Sequence, residues 1–189
     1  MKKPLNLAAW SGIISLILSL LIWFYILAVN QEGPQFILSL FGIIGNALSI
    51  LFMHGFVVLG KKMKSKLLVV MSWIGIAFMI VLLVFGLIGS IVGLTDNVSA
   101  QEFAADKTDA LIVLLVLWAF ISLLLGAYSV LFGVGLLQIS KKVRYAKTSA
   151  ILEIVAGATY IILVGLFVKL VAYFFEIALL FEASKKFEK

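Results

Sequence analysis

Leu67–Leu94 reads LLVVMSWIGIAFMIVLLVFGLIGSIVGL, a run without one charged residue. As an α-helix rising ~1.5 Å per residue it would reach about 42 Å, more than the ~30 Å hydrocarbon core of a bilayer. A half-buried strand would alternate apolar and polar residues, and this segment does not. A helix that is apolar all round is either the core of a large protein or a membrane span. At 189 residues the chain is too short for the first, so the run is read as a membrane-spanning helix.

Working outward, Leu5–Val29, Phe36–Leu59 and Ala110–Ile139 carry the same pattern. Lipid offers backbone N–H and C=O groups no partner, so only helices or closed barrels cross it, and barrel strands would alternate. A hydrophobic share of 64% against 13% charged residues, with a mean hydropathy of +1.23, moves the whole chain out of the soluble class. There is no cysteine, which excludes disulfides, thiolate metal sites and cysteine nucleophiles. Lys2 and Lys3 precede the first apolar run like the start of a signal peptide. That run is too long for an h-region and no small-x-small cleavage pattern follows it, so it reads as an uncleaved anchor. The expectation is a single membrane domain over 1–189, with no appended soluble domain.

The connections are short. Asn30 to Gln35 is a turn punctuated by Gly33 and Pro34; Gly60–Lys66 and Ser140–Ser149 are basic; Thr95–Asp109 is acidic, with Ser99 and Glu102 spaced as a capping box. Ala150–Ala183 is ambiguous, being ~51 Å long as one straight helix. It is either a long tilted helix or a hairpin bent near Gly165–Lys169. Charge placement favours the hairpin. With six crossings, thirteen of the fifteen basic residues share one side, opposite Glu32, Asp96, Glu102, Asp106 and Asp109. Positively charged loops resist translocation, which puts both termini in the cytoplasm of a cell with this chain in its plasma membrane. The expected fold is all-α, a polytopic transmembrane bundle of six helices as three tandem hairpins, with five helices as the alternative.

An internal repeat fits that count. Ser49-Ile50-Leu51-Phe52, Gly55 and Lys61-Lys62 recur as Ser129-Val130-Leu131-Phe132, Gly135 and Lys141-Lys142. Trp10-Ser11-Gly12-Ile13 likewise pairs with Trp73-Ile74-Gly75-Ile76, each following a Lys-Lys pair, and a fourth such pair, Lys185-Lys186, closes the chain. The units would be 2–60, 61–140 and 141–184, related by an axis along the membrane normal.

Leu124-Leu125-Gly126-Ala127-Tyr128 and Ile161-Ile162-Leu163-Val164-Gly165-Leu166-Phe167, followed by an aromatic apolar helix ending on lysines, resemble a prokaryotic, largely archaeal, family of multi-pass membrane proteins. That family has no established activity, so the resemblance implies architecture only.

Few residues offer chemistry. His54 is the lone histidine, and no second ligand is expected near it within the membrane, so neither a metal site nor a Ser-His-Asp set can be assembled. No phosphate-cradling or dinucleotide motif occurs, and no cofactor is expected. Ionisable residues inside the hydrocarbon are the sharper signal. Lys169 and Glu176, seven apart, share a helix face, and with Glu153 they form a candidate polar or ion path. The plainer reading has Lys169 snorkelling outward and Glu176 lying near the inner headgroups. Small residues at helical spacing mark packing faces: Ser11, Ser15 and Ser19; Gly89 and Gly93; Ser122 and Gly126.

The basic loops suit the anionic headgroups of the bilayer, and their shortness and lack of aromatic platforms argue against nucleic acid. A second copy of the chain or another membrane protein is the expected protein partner. On these grounds the sequence reads as a non-enzymatic integral membrane protein, a structural, assembly or accessory subunit. The alternative is a small transporter or channel for an ion or small solute.

Overall fold

The computed structural model describes the backbone of residues 3–28, 35–95 and 107–188, and the side chains of 3–25, 40–87 and 115–188. The described residues form α1 (Pro4–Ala28), α2 (Gln35–Met63), α3 (Lys66–Thr95), α4 (Lys107–Leu137), α5 (Ala146–Thr159), a 3-10 turn (Tyr160–Ile162) and α6 (Val164–Phe187). The four long apolar runs thus become α1 to α4. The expected turn at Asn30 and the capping box at Ser99 lie outside the described residues.

Among the described residues five helices, all but α5, are long and apolar enough to cross a membrane. This is an all-α bundle and a multi-pass membrane protein. Its surface is inverted relative to a soluble fold: Trp23, Phe85, Val116 and Phe167 are at least 65% exposed. Ser15, Ser72, Ser129, Glu153 and Glu176 are buried. Lipid tails are as apolar as leucine, so the large aliphatic and aromatic side chains face outward without penalty while polar groups find partners inside.

Each helix packs on its neighbours in sequence, and α6 returns to α1, so the six close into a ring. The contact between α3 and α4 is the thinnest of the sequential helix pairs. The tightest core lies toward the basic loops, where Phe52, Phe56, Phe132, Leu68 and Leu180 are fully buried, and Phe56 meets the Phe132 ring edge-on at 5.2 Å. Glutamates fasten this end. The Glu188 carboxylate accepts from the Leu5 and Asn6 N–H groups at 2.8 and 3.4 Å, capping α1. Glu182 accepts from Arg144 and Tyr145 N–H just ahead of α5. Lys62 and Lys186 donate to the carbonyls of Phe187 and Lys142. The start of α1, the end of α6 and both basic loops therefore meet at one end of the bundle.

The ambiguous stretch resolves into a hairpin, but its bend is not at Gly165–Lys169. It lies at Tyr160–Leu163. Leu163 takes the left-handed conformation at φ 64°, and its N–H donates to the Tyr160 carbonyl at 3.1 Å. The Thr159 hydroxyl turns back to the Val155 carbonyl at 2.7 Å, occupying an acceptor at the end of α5. Gly165 follows directly, and a Cβ there would collide with the Tyr160 backbone and the Ala156 carbonyl, so glycine lets α6 start against α5. Lys169 consequently sits inside α6. The 14 residues of α5 span ~21 Å, short of a full ~30 Å crossing.

Candidate functional site

Two helices of this hairpin build the site. Glu153 projects from α5 and Glu176 from α6, and neither side chain has any exposed surface. Lys169, also on α6, forms an ion pair and hydrogen bond with Glu153 Oε1. Its Nζ lies 3.6 Å from Glu176 Oε1, within ion-pair range but beyond a hydrogen bond. It also stands over the Phe132 ring of α4, 5.7 Å from the centroid, where the negative face of the ring attracts a cation. Depth follows from helix rise. Nine residues separate Glu176 from Lys185, and sixteen separate Lys169 from it, or ~13 and ~24 Å along α6. Both would therefore lie inside a ~30 Å core whose edge is at the lysine end.

The cluster is incompletely satisfied. Among the described residues Glu153 Oε2 and both Glu176 oxygens have no hydrogen-bond donor. A buried acceptor left without a donor costs about 1–3 kcal/mol, and more if charged. One ammonium faces two carboxyl groups, so neutrality here takes one proton on the pair.

Lys169 is the member with access to open space, with 22% of its side-chain surface exposed. It lines two cavities. One of about 250 Å³ lies between α1, α2 and α6 and carries hydroxyls from Ser15, Ser19, Ser49 and Tyr173. The other, about 340 Å³, lies among α2, α3, α4 and the 3-10 turn and is mostly apolar, with the Tyr128 and Tyr160 side chains near Lys169. The Tyr128 ring stacks on Phe132 at 6.0 Å, and its hydroxyl is 4.0 Å from Met53 Sδ.

The three ionisable residues singled out from sequence are thus brought together. The snorkelling alternative does not describe them, because Lys169 turns inward to Glu153 and Glu176 is fully buried. The packing residues divide. Ser15 bridges α1 to α2, donating to the Gly45 carbonyl at 3.2 Å and pairing with the Ser49 hydroxyl at 2.8 Å. Ser11 is buried but bonds the Ala8 carbonyl of its own helix, and Ser19 is exposed at the cavity rim. Gly126 of α4 meets Gly157 of α5 backbone to backbone. Ser122 is buried with no hydrogen-bond partner for its hydroxyl among the described residues. Gly89 and Gly93 fall on α3, where their surroundings lie outside the described side chains. His54 is exposed on the outer face of α2.

Sequence reasoning missed Phe132, Tyr128, Tyr160 and Tyr173. Aromatic residues in apolar helices look like ordinary packing, so their place beside the ionisable cluster carried no signal of its own. No family model matches the chain, and no curated protein or solved structure matches it.

Proposed function

We propose that this protein is a small, non-enzymatic membrane transporter in which the Glu153–Lys169–Glu176 cluster carries protons as a solute crosses. The observation that carries the reading is the pair of fully buried carboxyl groups, three of whose oxygens accept no hydrogen bond among the described residues, joined through Lys169 to cavities on two sides. Ionisable groups are costly at this depth and are otherwise rare there, except along proton and ion paths. The burial of Glu153 and Glu176 favours the transporter alternative read from the sequence, in place of the structural or accessory role read first. Protons would reach the cluster along the hydroxyls of the α1–α2–α6 cavity. In this reading the lysine-rich end faces the cytoplasm and its anionic headgroups, with both termini inside. The three hairpins are repeated units, of which the third supplies all three charges. The test is potential-driven proton flux in proteoliposomes, with and without small organic anions and cations. Flux should fall at least about tenfold in Glu153→Gln and Glu176→Gln, a floor set below the ~10²–10⁴-fold that a positioned proton-transfer group contributes. Flux that is absent throughout, or that survives both substitutions, would overturn the proposal.

A further inference from the structure

We infer that the cavity between α3 and α4 binds a small single-chain amphipathic anion, its head on Lys169 and its tail along Phe78, Met79 and Leu124. The inference rests on the transport reading above and names the class of solute.

Three features select that chemistry. The first is which charge the cavity meets. Lys169 lines the wall, whereas Glu153 and Glu176 have no exposed surface, so an entering headgroup encounters the ammonium and not the carboxylates. The second is the setting of that ammonium. Tyr128 and Tyr160 also line the cavity and carry O–H groups that can donate to an anion beside Lys169. The third is the remainder of the wall. At about 340 Å³ the cavity falls at the lower end of the ~300–1,000 Å³ of small-molecule sites, and its lining is otherwise apolar. Ile74, Phe78 and Leu124 on its rim are at least 44% exposed on the outer surface of the bundle, so an acyl or alkyl tail meets apolar side chains from entrance to head. A lone inorganic ion would leave that wall unused, and an organic cation would be repelled by Lys169.

Charge balance then couples binding to protons. With one proton on the Glu153–Glu176 pair the cluster is neutral, and seating an anion leaves it at one negative charge in a low-dielectric site. A second proton, taken from bulk water onto the carboxyl pair, restores neutrality. The other titratable groups facing Lys169 are Tyr128 on α4, Tyr160 on the turn and Tyr173 on α6, while the α1 and α2 side chains lining these cavities contribute hydroxyls and apolar surface only.

The experiment compares 1-octanesulfonate, which stays ionised at every working pH, with 1-octanol and octyltrimethylammonium. Each is titrated into the protein in nanodiscs, with empty nanodiscs as the blank for partitioning. The sulfonate should bind saturably and roughly tenfold or more tighter than octanol, the factor one hydrogen bond to a charged partner carries. Its affinity should weaken as the pH rises, by up to about tenfold per pH unit, as linkage to one proton requires. Lys169→Met should abolish the preference for sulfonate. Met79→Trp, which fills the tail region without touching the charges, should abolish saturable binding, and it keeps the test decisive if Lys169→Met does not fold. Equal binding of octanol and sulfonate, preference for the ammonium, or sulfonate binding insensitive to pH would overturn the inference. Glutamate-dependent proton flux without sulfonate binding would sink this inference alone. Saturable sulfonate binding without such flux would sink the transport reading alone.

Discussion

Replacing Gly126 by alanine should separate α4 from α5, and the cost can be worked from the contact. A Cβ at Gly126 would sit 2.6 Å from the Gly157 carbonyl oxygen, and one at Gly157 would sit 2.5 Å from the Gly126 oxygen and 3.0 Å from the Val130 nitrogen. Real Cβ contacts essentially never fall below 3.0 Å, so the two backbones must part by at least about 0.4 Å. Neither obstacle can rotate aside, because both are main chain. Over-packing of this kind costs about 1–3 kcal/mol, and ~2 kcal/mol corresponds to roughly a thirtyfold shift in the unfolding equilibrium. Gly42→Ala in α2 is the matched control, since a Cβ there meets nothing within 4 Å, and it should stay within ~0.5 kcal/mol of wild type. Reversible unfolding in mixed detergent–SDS micelles, followed by tryptophan fluorescence, reads both variants. Gly126→Ala combined with Gly157→Ala should cost less than the sum, because one separation relieves both clashes. If Gly126→Ala proves no worse than Gly42→Ala, α4 and α5 do not meet through these glycines, and the placement of Glu153 against Lys169 loses its support.

Three further outcomes are expected. Lys169→Met strands two buried carboxyl groups and should cost about 3–5 kcal/mol, whereas adding Glu153→Gln and Glu176→Gln should recover most of the loss; a single variant costing under ~1 kcal/mol in the same micelle assay would mean a hydrated cluster. Leu163→Gly relieves the left-handed φ, worth ~1–2 kcal/mol less the glycine's greater chain entropy, and should melt higher than Leu163→Val, in which a β-branched residue sits in that region. Equal melting temperatures would show that the 160–163 bend relaxes freely. Because the chain has no cysteine, single cysteines placed at Lys3 and Lys186 can be labelled cleanly with an impermeant thiol reagent. Both should react from the cytoplasmic side, and opposite-side labelling would contradict the orientation drawn from the lysines.

The spanning helices were legible because uninterrupted apolar length is a one-dimensional property: Leu67–Leu94 nearly coincides with α3. The α5–α6 bend was legible in kind but misplaced. Leu163 carries the left-handed turn without glycine, asparagine or a neighbouring proline to announce it, and Gly165, which suggested the bend, serves the helix contact just after it. Spacing put Lys169 and Glu176 on one face of one helix but could not say whether that face met lipid, water or α5. Their joining to Glu153 comes from the hairpin folding back, a contact across sixteen residues that helical periodicity does not encode. Gly126 stood out as a small residue at packing distance from Ser122, yet its partner Gly157 is apparent only once α5 lies against α4. The capping carboxylates of Glu182 and Glu188 were hidden for the same reason, since each serves a helix other than its own.

The most direct test of the central proposal is the initial rate of proton entry into proteoliposomes holding a trapped pH indicator, driven by a valinomycin-set potassium potential. Wild type should acidify the lumen faster than protein-free liposomes, with a further rise when 1-octanesulfonate is present outside. Glu176→Gln, reconstituted to the same density and orientation, should lose at least about nine-tenths of the excess rate, because a glutamine of the same shape holds no transferable proton. Equal rates for wild type and Glu176→Gln, or no excess over protein-free liposomes with any of the added ions, would contradict a proton path through the Glu153–Lys169–Glu176 cluster.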